Sequence, residues 1–183
     1  PSSLFGGRRR RPLLYAPSHR FHGLAVHTGG AYVRCVARSQ CTCDAGGGEL
    51  ADAAAILGWM NTLYPKRSFV WVAGFSFGAW IGMQLLMRRP EVEGFISIAP
   101  PANLYDFSFL APCPSSGLIV HGEKDAVVPP KDVNTLVEKL KTQKGIVIDQ
   151  QIIPGANHFF DGKLQPLMET VTGYLDMRLA NVR

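Results

Sequence analysis

A serine flanked by two glycines, lying between an apolar strand and an apolar helix, constrains the fold of this chain more than any other feature. Residues 69–73 form a continuous apolar run, typical of a parallel strand covered on both faces. Residues 74–78 follow at once with the pattern G-x-S-x-G, and residues 78–87 are apolar nearly all round, as in a buried helix. The glycines permit a tight strand-to-helix turn that lifts the Ser76 hydroxyl out of the sheet. The pattern predicts that Ser76 is presented as a nucleophile; an ordinary glycine-rich turn is the alternative.

Helices and strands alternate from residue 48 onward. The 3.6-residue period and flanking Gly and Pro residues predict helices over residues 49–64, 78–87, 131–141 and 164–179. Apolar runs predict strands over residues 69–73, 94–99 and 117–121, and a further strand is expected over residues 146–153. In the last two helices, the side chains expected to face the core are Val133, Leu136, Val137 and Leu140, then Leu167, Met168, Val171 and Leu175. The alternation predicts the α/β class, with a doubly wound, mostly parallel sheet in one catalytic domain over residues 48–183.

Residues 1–47 have a different composition and are expected to form an irregular segment rich in Arg, Gly and Cys. They contain no Lys, Ile, Asn, Glu or Met, and their short apolar pieces have no clear period. One interpretation is a set of short, irregular edge strands. The other is that the usual first strands are missing, because a frame error or a truncation upstream has replaced them. The chain does not begin with Met, so we expect that its true start is missing or trimmed.

The basic charge of the chain lies almost entirely in this segment. Residues 1–47 carry seven Arg and one Asp, a net charge of +6, whereas residues 48–183 carry twelve basic and thirteen acidic side chains, a net charge of −1. The charge is therefore a poor argument for a nucleic-acid partner, and the run Arg8–Arg11 is expected to be a solvated tail. No apolar run reaches the roughly 18–20 residues of a membrane span, so we expect no membrane partner.

Cysteine usage and missing motifs define further expectations. Three of the four cysteines lie in residues 1–47 without a dense, even framework, and no signal peptide is visible, so a reducing, cytoplasmic location is expected. No dinucleotide fingerprint or P-loop follows a strand, so we expect no cofactor. Three cysteines and three histidines could suggest a zinc site, but their spacing fits no regular pairing, and we expect no metal; these are Cys35, Cys41, Cys43, His19, His22 and His27.

A serine nucleophile needs a base, and the base needs an acid that orients it. Asp125 lies in the loop after the strand over residues 117–121 and is the preferred acid, with Glu123 in reserve. The alternative for either carboxylate is to cap the following helix. His158 follows the strand over residues 146–153 and is the preferred base, whereas His121, at a strand end, is expected to be structural. The order Ser, Asp, His, each after a different strand, is the order that accompanies this kind of serine turn.

Three segments resemble the α/β-hydrolase superfamily: G-F-S-F-G over residues 74–78, H-G-x-x-D-x-x-V-P over 121–129, and G-A-N-H-F-F over 155–160. The likeness is closest to small, lidless bacterial hydrolases of the dienelactone-hydrolase-like and peptidase-like groups; the first 37 to 47 residues do not match. Dienelactone hydrolases use a cysteine nucleophile, whereas this chain has Ser76. The resemblance implies acyl transfer to water, with His158 as base, Asp125 orienting it, and the Phe77 N–H as one oxyanion donor.

A second oxyanion donor is expected from an early loop, and residues 27–30 (H-T-G-G) are only a faint candidate for it. Residues 100–114 stand where larger relatives insert a lid, and they contain Tyr105, Phe107 and Phe109. These aromatic side chains either pack over the sheet or form an apolar wall for the substrate. Without a lid, a small soluble ester, thioester or amide is expected to be the substrate.

Two functions are compatible with these features. The first is a serine hydrolase, most simply a carboxylesterase, with peptidase and thioesterase activity within the same class. The second is a catalytically impaired member of the fold that acts as a binding or scaffold module, which the unusual residues 1–47 suggest. Neither reading fixes the substrate or the oligomeric state.

Overall fold

A mostly parallel sheet organises the described part of the chain. The computed structural model describes residues 24–28, 31–33, 47–65 and 69–180. The strands are β1 (Leu24–Thr28), β2 (Ala31–Val33), β3 (Val70–Phe75), β4 (Val92–Ile98), β5 (Gly117–Gly122) and β6 (Ile148–Ile153). The helices are α1 (Gly47–Leu63), α2 (Phe77–Arg88), α3 (Pro130–Lys141) and α4 (Leu164–Ala180), with a 3₁₀ turn over Ser108–Leu110. All eight elements predicted after residue 48 are present within about two residues of their expected ends.

The strand order is β2-β1-β3-β4-β5-β6. Strands β3 to β6 run parallel to one another, and a helix lies in the connection after β3 and in the connection after β5. Every residue of β5 is buried, as expected for a parallel strand covered on both faces. The predicted α/β class with a mostly parallel sheet is therefore confirmed.

Strands β2 and β1 lie at one edge of the sheet, and β1 runs antiparallel both to β2 and to β3. Thr28, at the end of β1, is paired with Val70, at the start of β3. The described backbone of the N-terminal segment thus consists of two short strands, Leu24–Thr28 and Ala31–Val33. The boundary proposed at residue 47 stays a prediction.

Buried side chains form two clusters, one on each face of the sheet. Val70 and Val72 of β3 belong to the first cluster, together with buried residues of α1, α2 and α3. Trp71 belongs to the second, with Tyr174 and Leu175 of α4. Successive side chains of a strand point to opposite faces, so the alternation along β3 separates the two clusters. The four residues of α3 predicted to face inward are all buried.

The buried face of α4 differs in one respect from the prediction. Met168 is 41% exposed, whereas Tyr174, which was not predicted to face inward, is only 7% exposed. The Tyr174 ring packs 5.7 Å from the ring of Trp71, and its hydroxyl oxygen accepts a hydrogen bond from Arg178 at 3.0 Å. A buried tyrosine is tolerated when its hydroxyl has a partner, and the arginine one turn later provides it.

Candidate active site

Ser76 lies on a strained turn between β3 and α2. Its backbone angles are φ 51° and ψ −122°, in the left-handed half of the map that a residue with a Cβ rarely adopts. The turn is held on both sides, because the Ser76 N–H donates to the Ile98 carbonyl and its own carbonyl accepts from the Ala79 N–H, each at 2.8 Å. The structure therefore presents Ser76 at the carboxyl end of the parallel strands.

Gly74 lets the strand and the helix approach closely behind the serine. A Cβ at this position would overlap the Gly78 carbonyl and lie 2.6 Å from the Ala79 nitrogen. These atoms are backbone, so no side-chain rotation relieves the overlap. We expect Gly74→Ala to lower the free energy of unfolding by about 1–3 kcal/mol, the usual cost of overpacking, measured by urea denaturation.

Gly58 offers a matched control for this substitution. It lies inside α1, and a Cβ there meets nothing within 4 Å. We expect Gly58→Ala to raise the free energy of unfolding by about 0.5–1 kcal/mol, because alanine is the better helix former. If Gly74→Ala and Gly58→Ala had the same free energy of unfolding, the prediction would be wrong, because the backbone of the turn would then have moved to accept a side chain at position 74.

His158 lies in the loop after β6, with its side chain buried between an acid and a hydroxyl. Its Nδ1 is 2.8 Å from Asp125 Oδ2, and its Nε2 is 3.0 Å from Ser76 Oγ. A carboxylate oxygen only accepts, so the ring proton is on Nδ1 and Nε2 accepts the Ser76 hydroxyl proton. The three side chains proposed from the sequence thus form one continuous hydrogen-bonded chain.

Asp125 is held at both of its oxygens and is 4% exposed. Oδ1 accepts the backbone N–H groups of Val127 at 2.9 Å and Val128 at 2.8 Å, while Oδ2 faces His158. Glu123 instead accepts the Gly155 N–H at 2.7 Å, and so ties down the loop that carries His158. Neither carboxylate caps α3, whose N-cap residue is Pro129 without a side-chain cap.

A second histidine, His121, lies beside the same acid. It is 1% exposed, its Nε2 is 3.0 Å from the Val128 carbonyl oxygen, and the same nitrogen is 3.8 Å from Asp125 Oδ2. Burial lowers the pKa of His121, outweighing the nearby Asp125 carboxylate, which raises it. The neutral ring donates Nε2–H to Val128, the residue whose own N–H holds Asp125. His121 is thus built into the turn that carries the acid.

The lowered pKa of His121 has a consequence for stability in acid. In the unfolded chain a histidine binds a proton below about pH 6.5, whereas folded His121 stays neutral to a lower pH. Between these two pKa values the unfolded state binds more protons, so stability falls as pH falls. The slope contributed by one proton reaches about 1.4 kcal/mol per pH unit.

The contribution of His121 to the pH dependence of stability is measured as the difference between the wild type and His121→Gln. His121→Gln keeps an N–H donor for the Val128 carbonyl but does not titrate. We expect the wild-type free energy of unfolding to fall more steeply than that of His121→Gln below about pH 6.5, and the two curves to run parallel above it. Parallel curves throughout, in urea denaturations between pH 5 and 8, would contradict the lowered pKa.

The predicted aromatic residues lie in two different environments. Phe77 begins α2, and its N–H, the proposed oxyanion donor, belongs to the first turn of that helix. Tyr105 is half-buried, and its ring lies 5.4 Å from the ring of Phe77. Phe107 is buried in the first core cluster, and Phe109 packs against that cluster and stacks on Phe107 at 6.1 Å. Among Tyr105, Phe107 and Phe109, Tyr105 is therefore the residue whose ring pairs with that of Phe77, the residue next to Ser76.

Three other aromatic residues near the serine were missed by the sequence analysis. The Trp80 ring lies 4.6 Å from that of Tyr105, and the Phe75 ring lies 5.3 Å from His158. Phe159 packs edge-on against His158 at 5.2 Å. Phe75 and Phe159 are the immediate neighbours of Ser76 and His158 in the sequence, and this adjacency was a usable signal. Trp80, four residues after Ser76, lies one helical turn further on.

Other sequence-based candidates do not join this site. The β1–β3 register places Thr28 beside Val70 at the start of β3, whereas Ser76 follows the other end of that strand. Residues 27 and 28 of the candidate oxyanion segment over 27–30 therefore lie at the wrong end of β3 to serve Ser76. Gly29 and Gly30 lie outside the described residues. Within the described ranges no three His, Cys, Asp or Glu side chains gather as a metal site, and the candidate zinc cysteines lie outside. In the same ranges, no helix combines the length and apolar character needed to cross a bilayer.

Comparison with known proteins gives a consistent result. Residues 43–175 match the Dienelactone hydrolase family. An uncharacterized protein of Rickettsia prowazekii is 41% identical, over 96% of this chain and 75% of that protein. The crystal structure of a protein of unknown function from Agrobacterium tumefaciens is 64% identical, with a TM-score of 0.76 over 81% of this chain and 68% of that one. A serine hydrolase without a lid from Xanthomonas campestris is 34% identical, with a TM-score of 0.61 over 74% of this chain and 59% of that one.

Proposed function

The chain belongs to the dienelactone hydrolase family of α/β-hydrolases, and from that premise we propose that it is a serine hydrolase of small esters, thioesters or amides, most simply a carboxylesterase. One observation carries the proposal: the hydrogen-bonded chain from Ser76 through His158 to Asp125, with heavy-atom distances of 3.0 and 2.8 Å. This is the arrangement that nucleophile, general base and orienting acid require.

The reaction proceeds in two half-reactions. Ser76 Oγ attacks the substrate carbonyl carbon as its proton passes to His158 Nε2, and a tetrahedral intermediate forms. The Phe77 N–H stabilises the negative oxygen of this intermediate. The bond to the leaving group then breaks, His158 Nε2 returns the proton to that group, and the acyl group remains on Ser76. Water attacks the acyl-enzyme with His158 again as base, which releases the acid and restores Ser76.

Asp125 acts through His158. It keeps the imidazole proton on Nδ1, so that Nε2 faces Ser76 as an acceptor, and it stabilises the imidazolium formed in each half-reaction. Two backbone N–H groups on Oδ1 fix the direction in which Oδ2 points. The burial of Asp125 supports this role, because a carboxylate shielded from water interacts more strongly with the positive charge of the His158 imidazolium.

A small substrate is supported by the connection between β4 and β5. Residues 100–114 contain only the 3₁₀ turn Ser108–Leu110, and within the described ranges no inserted helical layer covers Ser76. A soluble acyl compound therefore reaches the serine from solvent, and no partner other than this small molecule enters the proposal.

Covalent labelling tests the proposal. A fluorophosphonate reacts with a serine that a neighbouring base has activated, and intact mass counts the adducts. We expect one adduct on the wild-type protein and none on Ser76→Ala or His158→Ala. A folded wild type that gains no adduct would overturn the proposal in favour of an impaired, scaffold-like member of the fold.

A further inference from the structure

Two groups of aromatic side chains meet at Ser76. The first aromatic group is Phe77, Trp80 and Tyr105, whose ring centroids lie 4.6 to 5.7 Å apart. Trp80 is fixed by a hydrogen bond from Nε1–H to the Asp106 carbonyl oxygen at 2.9 Å. All three side chains are partly exposed, so their rings present a preformed apolar surface next to the nucleophile.

The second aromatic group is Phe75 and Phe159, which both pack against the imidazole of His158. The Phe75 ring lies 5.3 Å and the Phe159 ring 5.2 Å from the His158 ring, and the two phenyl rings are 6.3 Å apart. Phe159 is nevertheless 62% exposed. An aromatic side chain that is held beside the base but remains open to solvent is placed to contact what the base acts on.

The first group and Phe75 of the second group pack against opposite faces of the sheet. Phe77, Trp80 and Tyr105 pack against the first core cluster, and Phe75 packs against the second. The serine turn separates them, since Phe75 ends β3 and Phe77 begins α2. A substrate carbonyl at Ser76 Oγ therefore has aromatic rings on both sides.

The proposed reaction distinguishes the two sides. His158 Nε2 must reach the leaving-group atom in order to protonate it, so the leaving group lies next to Phe159 and Phe75. The carbonyl oxygen turns toward the Phe77 N–H, which directs the acyl chain to the first aromatic group.

We propose that the substrate is an ester, thioester or amide with apolar groups on both sides of the scissile bond, Tyr105 selecting the acyl side and Phe159 the leaving-group side. The proposal rests on the serine-hydrolase function proposed above. It is specific because each side of the substrate is assigned to one ring, the half-buried Tyr105 ring on the acyl side and the exposed Phe159 ring on the leaving-group side.

Two pairs of substrates test the sides separately. p-Nitrophenyl phenylacetate against p-nitrophenyl acetate varies only the acyl group, and benzyl acetate against methyl acetate varies only the leaving group. The kcat/KM ratio within each pair is measured for the wild type, Tyr105→Ala and Phe159→Ala. Tyr105→Leu, which keeps bulk without an aromatic ring, replaces the alanine variant if that variant fails to fold.

We expect Tyr105→Ala to lower the acyl ratio about three- to tenfold and to leave the leaving-group ratio unchanged, because one aromatic contact contributes an effect of that size. Phe159→Ala is expected to do the reverse. If neither ratio changes, or if the two variants act on each other's side, the proposal is overturned. Fluorophosphonate labelling of each protein separates this result from failure of the proposed function, in which the wild type itself takes no adduct.

Discussion

Replacement of Ser76 by alanine is expected to lower kcat/KM for p-nitrophenyl acetate by about 10⁶-fold, the size of loss found when the nucleophile of such a triad is removed. The reason is that the acyl-enzyme route is lost, and only binding and oxyanion stabilisation remain. His158→Ala should cost about as much, because an unassisted hydroxyl does not lose its proton at neutral pH. The measurement is steady-state hydrolysis, after each variant has been shown to unfold at the wild-type urea midpoint.

The double variant Ser76→Ala/His158→Ala gives the sharper result. Residues that act as one unit are not additive, so the double variant should be no slower than either single variant. A double variant slower by the product of the two single effects would show that the serine and the histidine act independently. Retention of more than about a hundredth of the activity in Ser76→Ala is far from the loss expected for a triad nucleophile and would indicate another nucleophile.

Replacement of Asp125 by asparagine is expected to lower kcat/KM by about 10⁴-fold, the loss that follows when this acid holds the wrong tautomer. Two backbone N–H groups, from Val127 and Val128, point at Oδ1. The asparagine oxygen must stay there to accept them, which turns its NH₂ group toward His158 Nδ1. That nitrogen then becomes an acceptor, the ring proton moves to Nε2, and Ser76 loses its base.

Glu123→Gln is the matched control, because it makes the same chemical change two residues away. Glu123 accepts the Gly155 N–H, and a glutamine oxygen accepts it equally well. We expect kcat/KM within about twofold of the wild type, as for a surface substitution that keeps its contact. A loss in Glu123→Gln equal to that in Asp125→Asn would assign the orienting role to Glu123.

Local sequence signals predicted the parallel part of the sheet well. The apolar runs of β3, β4 and β5 and the 3.6-residue period of α3 depend on neighbouring residues alone, and the observed elements match them. The serine turn was equally readable, because Gly74 and Gly78 meet a steric demand of one turn. The sequence order of Ser76, Asp125 and His158 predicted that they would meet, since the carboxyl ends of parallel strands share one edge.

Features that depend on tertiary packing were harder to predict from the sequence. Tyr174 of α4 replaces Met168 at the core because Trp71, on a distant strand, and Arg178 complete its contacts. The orientation of β1 is decided by its pairing with β3, and the pattern of residues 24–28 does not encode it. The role of His121 as a support for the Asp125 turn depends on the position of the Val128 carbonyl, which no spacing rule provides.

The separation of the triad along the chain makes its assembly a report on folding. His158 lies 82 residues from Ser76 and 33 residues from Asp125, and each hydrogen bond forms only when β3, β5 and β6 are in register. No local fragment of the chain contains all three groups. The initial rate of covalent labelling is therefore proportional to the native fraction of a sample, and in a urea series it follows unfolding through the chemistry of the site instead of through a spectrum.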